Sequence, residues 1–390
     1  MFYILSLLTY VNESDFTTTK VGEVRRSMNG RYCYFQPYEL PFDHTISEDV
    51  RRRMNLASNE LTRLDGMFEL IDKETIEMLT TNLSLRESAS SSSIEGTMST
   101  VDDIFRSEKV PENDKIKSED NQEIVNYRKA LLQGFEELPV GGKIDIDFIK
   151  SLHRTLMYGV RGSDKSPGEF KTEQNAIGNM LDTLETAKMV PAPPESVCYL
   201  LDNWLEYVNS DSIDTMEKVA MAHYQFEAIH PFRDGNGRVG RLLALMILRR
   251  DGLLKQPVLY ISGYLNSRRG RYVDMLYEVS SKSSIDEWLS FLSDGFTEQA
   301  KSTANTVRSL ISCRNKLRSM AVNLDESKVI DMLFRNPYVT SKDIIGVTGV
   351  SMPTAVKILG RLESAGILRE ITGRSRNRVY CADGILEILR

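Results

Sequence analysis

The residues His230-Pro231-Phe232-Arg233-Asp234-Gly235-Asn236-Gly237-Arg238-Val239-Gly240-Arg241 separate two apolar helical patterns. Val219–Ile229 precedes them, and Leu242–Leu248 follows without a helix-breaking residue. The reading is helix, tight loop, helix, with the polar residues gathered in the loop. Gly235 and Gly237 let backbone N–H groups face a ligand without a Cβ in the way. The second helix turns its positive N-terminal end toward the same point. Arg238 and Arg241 are three residues apart, on one face of its first turn. Asp234 is a hard oxygen ligand of the kind Mg²⁺ takes when it arrives with a nucleotide. His230 is the one group in the stretch that can accept a proton near neutral pH. Taken singly, a Gly/Asn/Asp loop is a turn and a lone histidine is a helix cap. Their density in one stretch favours chemistry on a nucleoside triphosphate and a hydroxyl.

The rest of the composition bounds this reading. A chain of 390 residues can bury one large core or two to three smaller ones. A net charge of −6 gives no general case for nucleic acid or membrane binding, and no apolar run is long enough to span a bilayer. Cys33, Cys198, Cys313 and Cys381 are scattered, without metal spacing, which favours a reducing compartment and a cytoplasmic protein. The apolar opening Met1–Tyr10 lacks a basic start and a small-residue cleavage site, so it reads as a short strand or leader rather than a secretion signal. Met28 is an alternative start.

His-Pro-Phe-x-Asp-Gly-Asn-Gly-Arg-x-x-Arg resembles the active-site motif of the Fic family, and every specified position matches. Members transfer AMP from ATP to a protein hydroxyl. The resemblance implies that His230 deprotonates the hydroxyl and Asp234 holds Mg²⁺. It implies that Asn236 and the backbone of Gly235 and Gly237 cradle phosphate, and that Arg238 and Arg241 bind polyphosphate. Relatives that transfer phosphate carry Lys where this chain has Gly237, so Gly237 favours AMP transfer. Ser91-x-x-x-Glu95-Gly96 resembles the family's inhibitory motif in its N-terminal, class II, placement. If Glu95 reaches Arg241, it occupies the guanidinium that should grip the γ-phosphate, in a bidentate pair. Gly96 would end that helix in the left-handed conformation. Taken alone, Glu95 reads as an ordinary helix-end residue.

The remaining text supports a mainly α protein. Residues 1–46 form an extended arm, centred on the aromatic, proline-punctuated stretch Tyr32–Phe42. Residues 47–109 hold two helices, 47–68 and 73–93, and the inhibitory motif. Residues 110–320 form the catalytic core. Within it, 110–122 reads as a charged loop, followed by helices at 123–137, 146–158, 195–209 and 216–229. Gly168–Asn179 reads as a β-hairpin. The resemblance makes it a flap whose Lys171, Thr172, Gln174, Ile177 and Gly178 dock the target by strand addition. His223 reads as structural rather than as half of a metal site. Tyr264, Tyr272 and Tyr277 suit an adenine pocket or the core equally.

Residues 321–390 carry 10 Lys and Arg against 8 Asp and Glu, and read helix, turn, helix, turn, helix, hairpin. This resembles a winged helix-turn-helix domain, with Lys357 and Arg361 on the third helix and Arg374, Arg376 and Arg378 on the wing. DNA and protein contact are equal readings of it. The expected function is a protein adenylyltransferase using ATP and Mg²⁺, restrained by Glu95, acting on another protein or on itself, with a homodimer compatible. Two alternatives stand: removal of AMP with Glu95 orienting a water, and a nucleotide-sensing DNA-binding regulator.

Overall fold

The computed structural model describes residues 15–17, 20–110, 115–178 and 182–389. The reading of Met1–Tyr10 lies outside them. The chain opens with strands β1 (Gly22–Arg26) and β2 (Cys33–Pro37), paired antiparallel with Gly22 opposite Pro37 and Arg26 opposite Cys33. The expected extended arm is therefore a hairpin. Ser27, Asn29 and Gly30, with Gly30 at φ 68°, supply its turn.

Four helices follow: α1 (Glu48–Phe68), α2 (Lys73–Ile94), α3 (Val101–Ser107) and α4 (Lys115–Glu137). Asp72 caps α2 through the Thr75 amide, and Thr100 with Asp103 makes a capping box for α3. The expected loop at 110–122 is helical from Lys115 onward. Glu119 is exposed on this helix, and Asp120 turns inward to accept the Met98 N–H at 2.8 Å. The core continues with α5 (Ile146–Leu156), α6 (Pro194–Asn209), α7 (Thr215–Ile229), α8 (Asn236–Arg250), α9 (Ile261–Ser267), α10 (Arg269–Lys282) and α11 (Ile285–Ser319). Pro194 sits at the first position of α6, where its missing N–H costs nothing.

α7 and α8 are buried nearly all round, which marks them as the central pair. Indole N–H groups grip α7 from two sides: Trp204 of α6 donates to Ala222 O and Trp288 of α11 to Ala220 O, each at 2.8 Å. α2 packs on α4, α8 and α9, and its serines allow the close approach: Ser84, Ser88, Ser91 and Ser92 are all fully buried. The expected hairpin at 168–179 is not formed among the described residues of that range, 168–178. Residues 168–178 are irregular, and Ile177 makes a single antiparallel bridge with Met189, beyond the stretch. The backbone of this segment is taken up by the motif loop instead, with Lys171 N–H donating to Pro231 O at 2.8 Å.

The last seventy residues form α12 (Leu324–Leu333), β3 (Tyr338–Val339), α13 (Ser341–Thr348), α14 (Met352–Ser364), β4 (Arg369–Glu370), β5 (Tyr380–Cys381) and α15 (Asp383–Leu389). The strands make an antiparallel sheet in the order β3-β5-β4. This unit is bonded to the N-terminal helices: Asn82 donates to Phe334 O at 2.7 Å, Tyr338 Oη to Asp102 at 2.5 Å, and Lys109 pairs with Asp343 at 2.7 Å. Among the described residues, no helix is long and apolar enough to cross a membrane, and all four cysteines are free thiols.

Candidate active site

α7 ends at His230, which takes the left-handed conformation (φ 51°, ψ 59°) and so turns the chain sharply out of the helix. Gly235, also left-handed at φ 78°, turns it back into α8. A Cβ on Gly235 would meet Met157 Sδ at 2.8 Å, so both the angle and the space call for glycine. Between these turns Phe232 is buried, stacked on the His153 ring with centroids 3.7 Å apart.

His230 Nδ1 lies 3.3 Å from the Glu227 carbonyl. A carbonyl can only accept, so Nδ1 carries the proton and Nε2 keeps its lone pair. Burial, and next the nearby Lys171 charge, push the imidazole pKa down to about 3. The ring is thus neutral at physiological pH and able to act as a base.

Arg241 is buried and held from α2. Its Nε donates to Ser91 Oγ at 2.8 Å, and its Nη2 donates to Ser91 O at 3.0 Å and Glu95 Oε1 at 2.7 Å. The expected bidentate pair with Glu95 is a single contact, because Ser91 takes the Nε edge of the guanidinium. Burial alone would raise the Glu95 pKa, but Arg241 holds the carboxyl below its ordinary value. Gly96, at φ 100°, ends the segment. Gly237 makes the approach of Glu95 sterically feasible: a Cβ there would lie 2.5 Å from Glu95 Oε1.

Arg238 is buried too, yet poorly paired. Its nearest carboxylates are Glu123 at 3.7 Å and Asp234 at 3.8 Å, and among the described residues its Nε and Nη1 have no hydrogen-bond partner. A buried guanidinium with unused donors suits an anion. The first-turn amides of α8 add donors without intrahelical partners. Asn236, expected to cradle phosphate, has its amide engaged elsewhere: Oδ1 accepts the Phe232 N–H and Nδ2 donates to Phe232 O, both at 2.8 Å. Its side chain shapes the loop. The Gly235 N–H is likewise engaged, by Asp234 Oδ1 at 2.7 Å.

Asp234 Oδ2 accepts a hydrogen bond from Lys165 Nζ at 2.8 Å. Burial tends to raise this carboxyl's pKa, but Lys165 keeps it below the usual range. Among the described residues no group of three His, Cys, Asp or Glu could hold a metal by itself. One carboxylate beside an anion site does fit a cation whose remaining ligands come from phosphates and water.

The expected flap residues divide. Thr172 and Gly178 are exposed. Lys171 is buried, donating to Ile229 O at 3.1 Å and Asn175 Oδ1 at 2.8 Å, with burial lowering its pKa to about 7. Gln174 donates to Pro191 O at 2.9 Å. Lys171 and Gln174 therefore hold the loop rather than face a partner. His223 is buried, hydrogen-bonded to Tyr272 Oη at 2.8 Å and stacked near Trp288. Tyr264 packs on Phe291 and Tyr277 donates to Asp15 at 3.1 Å.

Four residues that the sequence did not point to complete the site. His153 Nε2 donates to Asp234 O at 3.0 Å while its Nδ1 accepts the Gly168 N–H at 2.8 Å. Glu123 accepts from Thr97 Oγ1 at 2.6 Å beside Arg238. Glu227 lies 3.6 Å from His230 Nδ1, its pKa raised by burial to about 8. Lys165 is the fourth. Each lies outside the contiguous motif, and only Glu227 is close to it in sequence, one turn before His230.

Comparison with known proteins agrees with this geometry. Residues 143–248 match the Fic/DOC family and residues 51–136 match the Fic/DOC family N-terminal region. A protein adenylyltransferase fic-1 of Caenorhabditis briggsae is 34% identical over 113 residues, 28% of this chain and 20% of that protein. A probable protein adenylyltransferase of Aquifex aeolicus is 43% identical over 94 residues, 22% of this chain and 29% of that one. The chain thus spans less than a third of the length of these relatives. In fold, it resembles a Fic family protein from Desulfovibrio desulfuricans, with a TM-score of 0.56 at 19% identity, over 88% of this chain and 98% of that one. Motif, helical architecture and these matches together place the chain in the Fic/DOC family.

Proposed function

We propose that the chain transfers AMP from ATP to a hydroxyl of a protein, itself included. The observation that carries this is the meeting of a neutral His230, its proton on Nδ1 and its lone pair on Nε2, and the donor-rich N-terminal end of α8 bearing Arg238. The target hydroxyl gives its proton to His230 Nε2 as its oxygen attacks the α-phosphorus. The bond from that phosphorus to the bridging oxygen breaks, and pyrophosphate leaves. The α8 amides and Arg238 keep the phosphates in line. Asp234 would hold Mg²⁺ arriving with the nucleotide, and the ion would supply charge neutralisation on the phosphates. Main-chain docking of the target along the exposed part of 172–178 belongs to this reading.

In this reading Glu95 is a restraint. With Arg241 Nη2 on Glu95 and Nε on Ser91, the guanidinium has little left for a γ-phosphate. Labelled ATP distinguishes the chemistry on a Glu95→Gly variant. Protein-bound label from the α-phosphate supports AMP transfer, and label from the γ-phosphate refutes it in favour of phosphate transfer.

For residues 321–389 the reading is a winged helix-turn-helix module, supported by the order α12, β3, α13, α14, β4, β5. Lys357 and the loop arginines 374, 376 and 378 are exposed. Arg361, expected to join them, is bonded to Glu326 of α12 instead. Duplex DNA binding that weakens steeply with salt, and further in Arg374→Ala/Arg376→Ala, supports a DNA surface; binding indifferent to both refutes it.

A further inference from the structure

We propose that Lys165 is the resident counter-ion of the cation-binding carboxylate: it holds Asp234 until a divalent cation takes its place, which makes cation and nucleotide bind together. This rests on the reading of Asp234 as the cation's ligand.

Lys165 Nζ lies 2.8 Å from Asp234 Oδ2, and the other oxygen already accepts the Gly235 N–H at 2.7 Å. The lysine is brought there by a built loop. Its N–H closes a turn on Gly162 O at 2.9 Å. Gly162, at φ 84°, comes so close that a Cβ would stand 2.7 Å from Asp234 Oδ2. Farther along, the Gly168 N–H donates to His153, whose other ring nitrogen donates to Asp234 O. One histidine therefore clamps both the lysine's loop and the aspartate's backbone.

The chemistry follows from charge. A divalent cation and an ammonium at bonding distance from one carboxylate oxygen repel each other as like charges. With Lys165 in place, a lone cation meets a carboxylate already neutralised and a neighbouring like charge. A nucleotide changes this, because its phosphate chain offers the displaced ammonium a new anionic partner. Lysine suits such an exchange, as a point charge on a flexible stem, and the Lys165 side chain is 44% exposed.

The test is Mn²⁺ alone, titrated calorimetrically and by the electron-spin signal of free ion, on the full chain without nucleotide. Lys165→Met should bind Mn²⁺ about ten-fold more tightly than wild type, a difference of about 1.4 kcal/mol. Lys165→Arg, which keeps the charge, should stay near wild type, and Lys165→Met/Asp234→Asn should lose the gain. Circular dichroism confirms that each variant is folded. Equal affinity of wild type and Lys165→Met, including no measurable binding by either, would overturn the proposal. So would a gain that survives Asp234→Asn. Since the readout is ion binding, a failure of AMP transfer would leave this result standing, and the reverse also holds.

Discussion

Asn236 shows how a residue expected to touch a ligand can serve the backbone instead. Both ends of its buried amide engage Phe232, closing a small ring around the motif loop. Replacing it with alanine leaves the buried Phe232 N–H without its partner, while Phe232 O keeps the Asn175 amide at 2.9 Å. Asn236→Ala should destabilise the protein by about 1–3 kcal/mol, read from urea unfolding. A change below about 0.5 kcal/mol, typical of an uncritical surface site, would mean that the amide does not hold the loop. Arg238 is the opposite case. Its neighbours leave two nitrogens unused, and that under-pairing is what a ligand-binding guanidinium looks like before the anion arrives.

At the scale of elements, the site is a joint between α7 and α8 steadied by α5. His153 on α5 bonds the motif loop and the 157–168 loop at once and stacks on Phe232. His153→Ala should cost about 3–5 kcal/mol, as for the loss of a buried aromatic-sized side chain. It should also speed hydrogen exchange at the Gly168 amide, and unchanged protection there would contradict this role. The sequence made the joint legible because its parts are contiguous: two apolar helical runs and every motif residue fall between 219 and 248. The bounds of α1, α2 and α6 were legible for a related reason, since their apolar stripes and caps are local signals. His153, Lys165 and Glu123 were not legible. They reach the site through tertiary packing, from 81, 69 and 115 residues away from Asp234 or Arg238. Local signals also misled. The charged run around 115–122 resembled a loop but is the first part of α4, with Glu119 outward and Asp120 inward, and the short alternation expected to make a hairpin serves the motif loop over the described residues 168–178.

Across the whole molecule, buried titratable groups set opposing pH limits. Burial holds His153 and His223 near a pKa of about 4 and His230 near about 3, against an ordinary 6.5. Below pH 6.5 the unfolded chain takes up protons that the folded one refuses, so stability falls as pH drops toward 4. Each histidine contributes a slope of up to about 1.4 kcal/mol per pH unit. Glu227 acts in the other direction. With its pKa raised from 4.5 to about 8, it stays protonated in the fold while the unfolded chain ionises, so its stability contribution fades as pH rises from 4.5 through 8. Buried Glu87 is raised in the same sense. The histidines therefore set the acid limb and Glu227 an alkaline one, which the buried Lys171, its pKa lowered to about 7, opposes above that pH. Glu227→Gln should flatten the decline between pH 6.5 and 8 by about 2 kcal/mol. An alkaline limb as steep as that of wild type would show that Glu227 is already ionised in the fold.

The most direct measurement counts protein-bound label from α-phosphate-labelled ATP on wild type, Glu95→Gly and Glu95→Gly/His230→Ala. Wild type should carry faint label and Glu95→Gly strong label. In the double variant, labelling should fall by at least about 100-fold, the lower end of what a general base contributes. Equal labelling of wild type and Glu95→Gly would contradict the restraint at Arg241. Labelling that survives His230→Ala would contradict the base. Label absent from all three, with ATP still bound, would contradict AMP transfer itself.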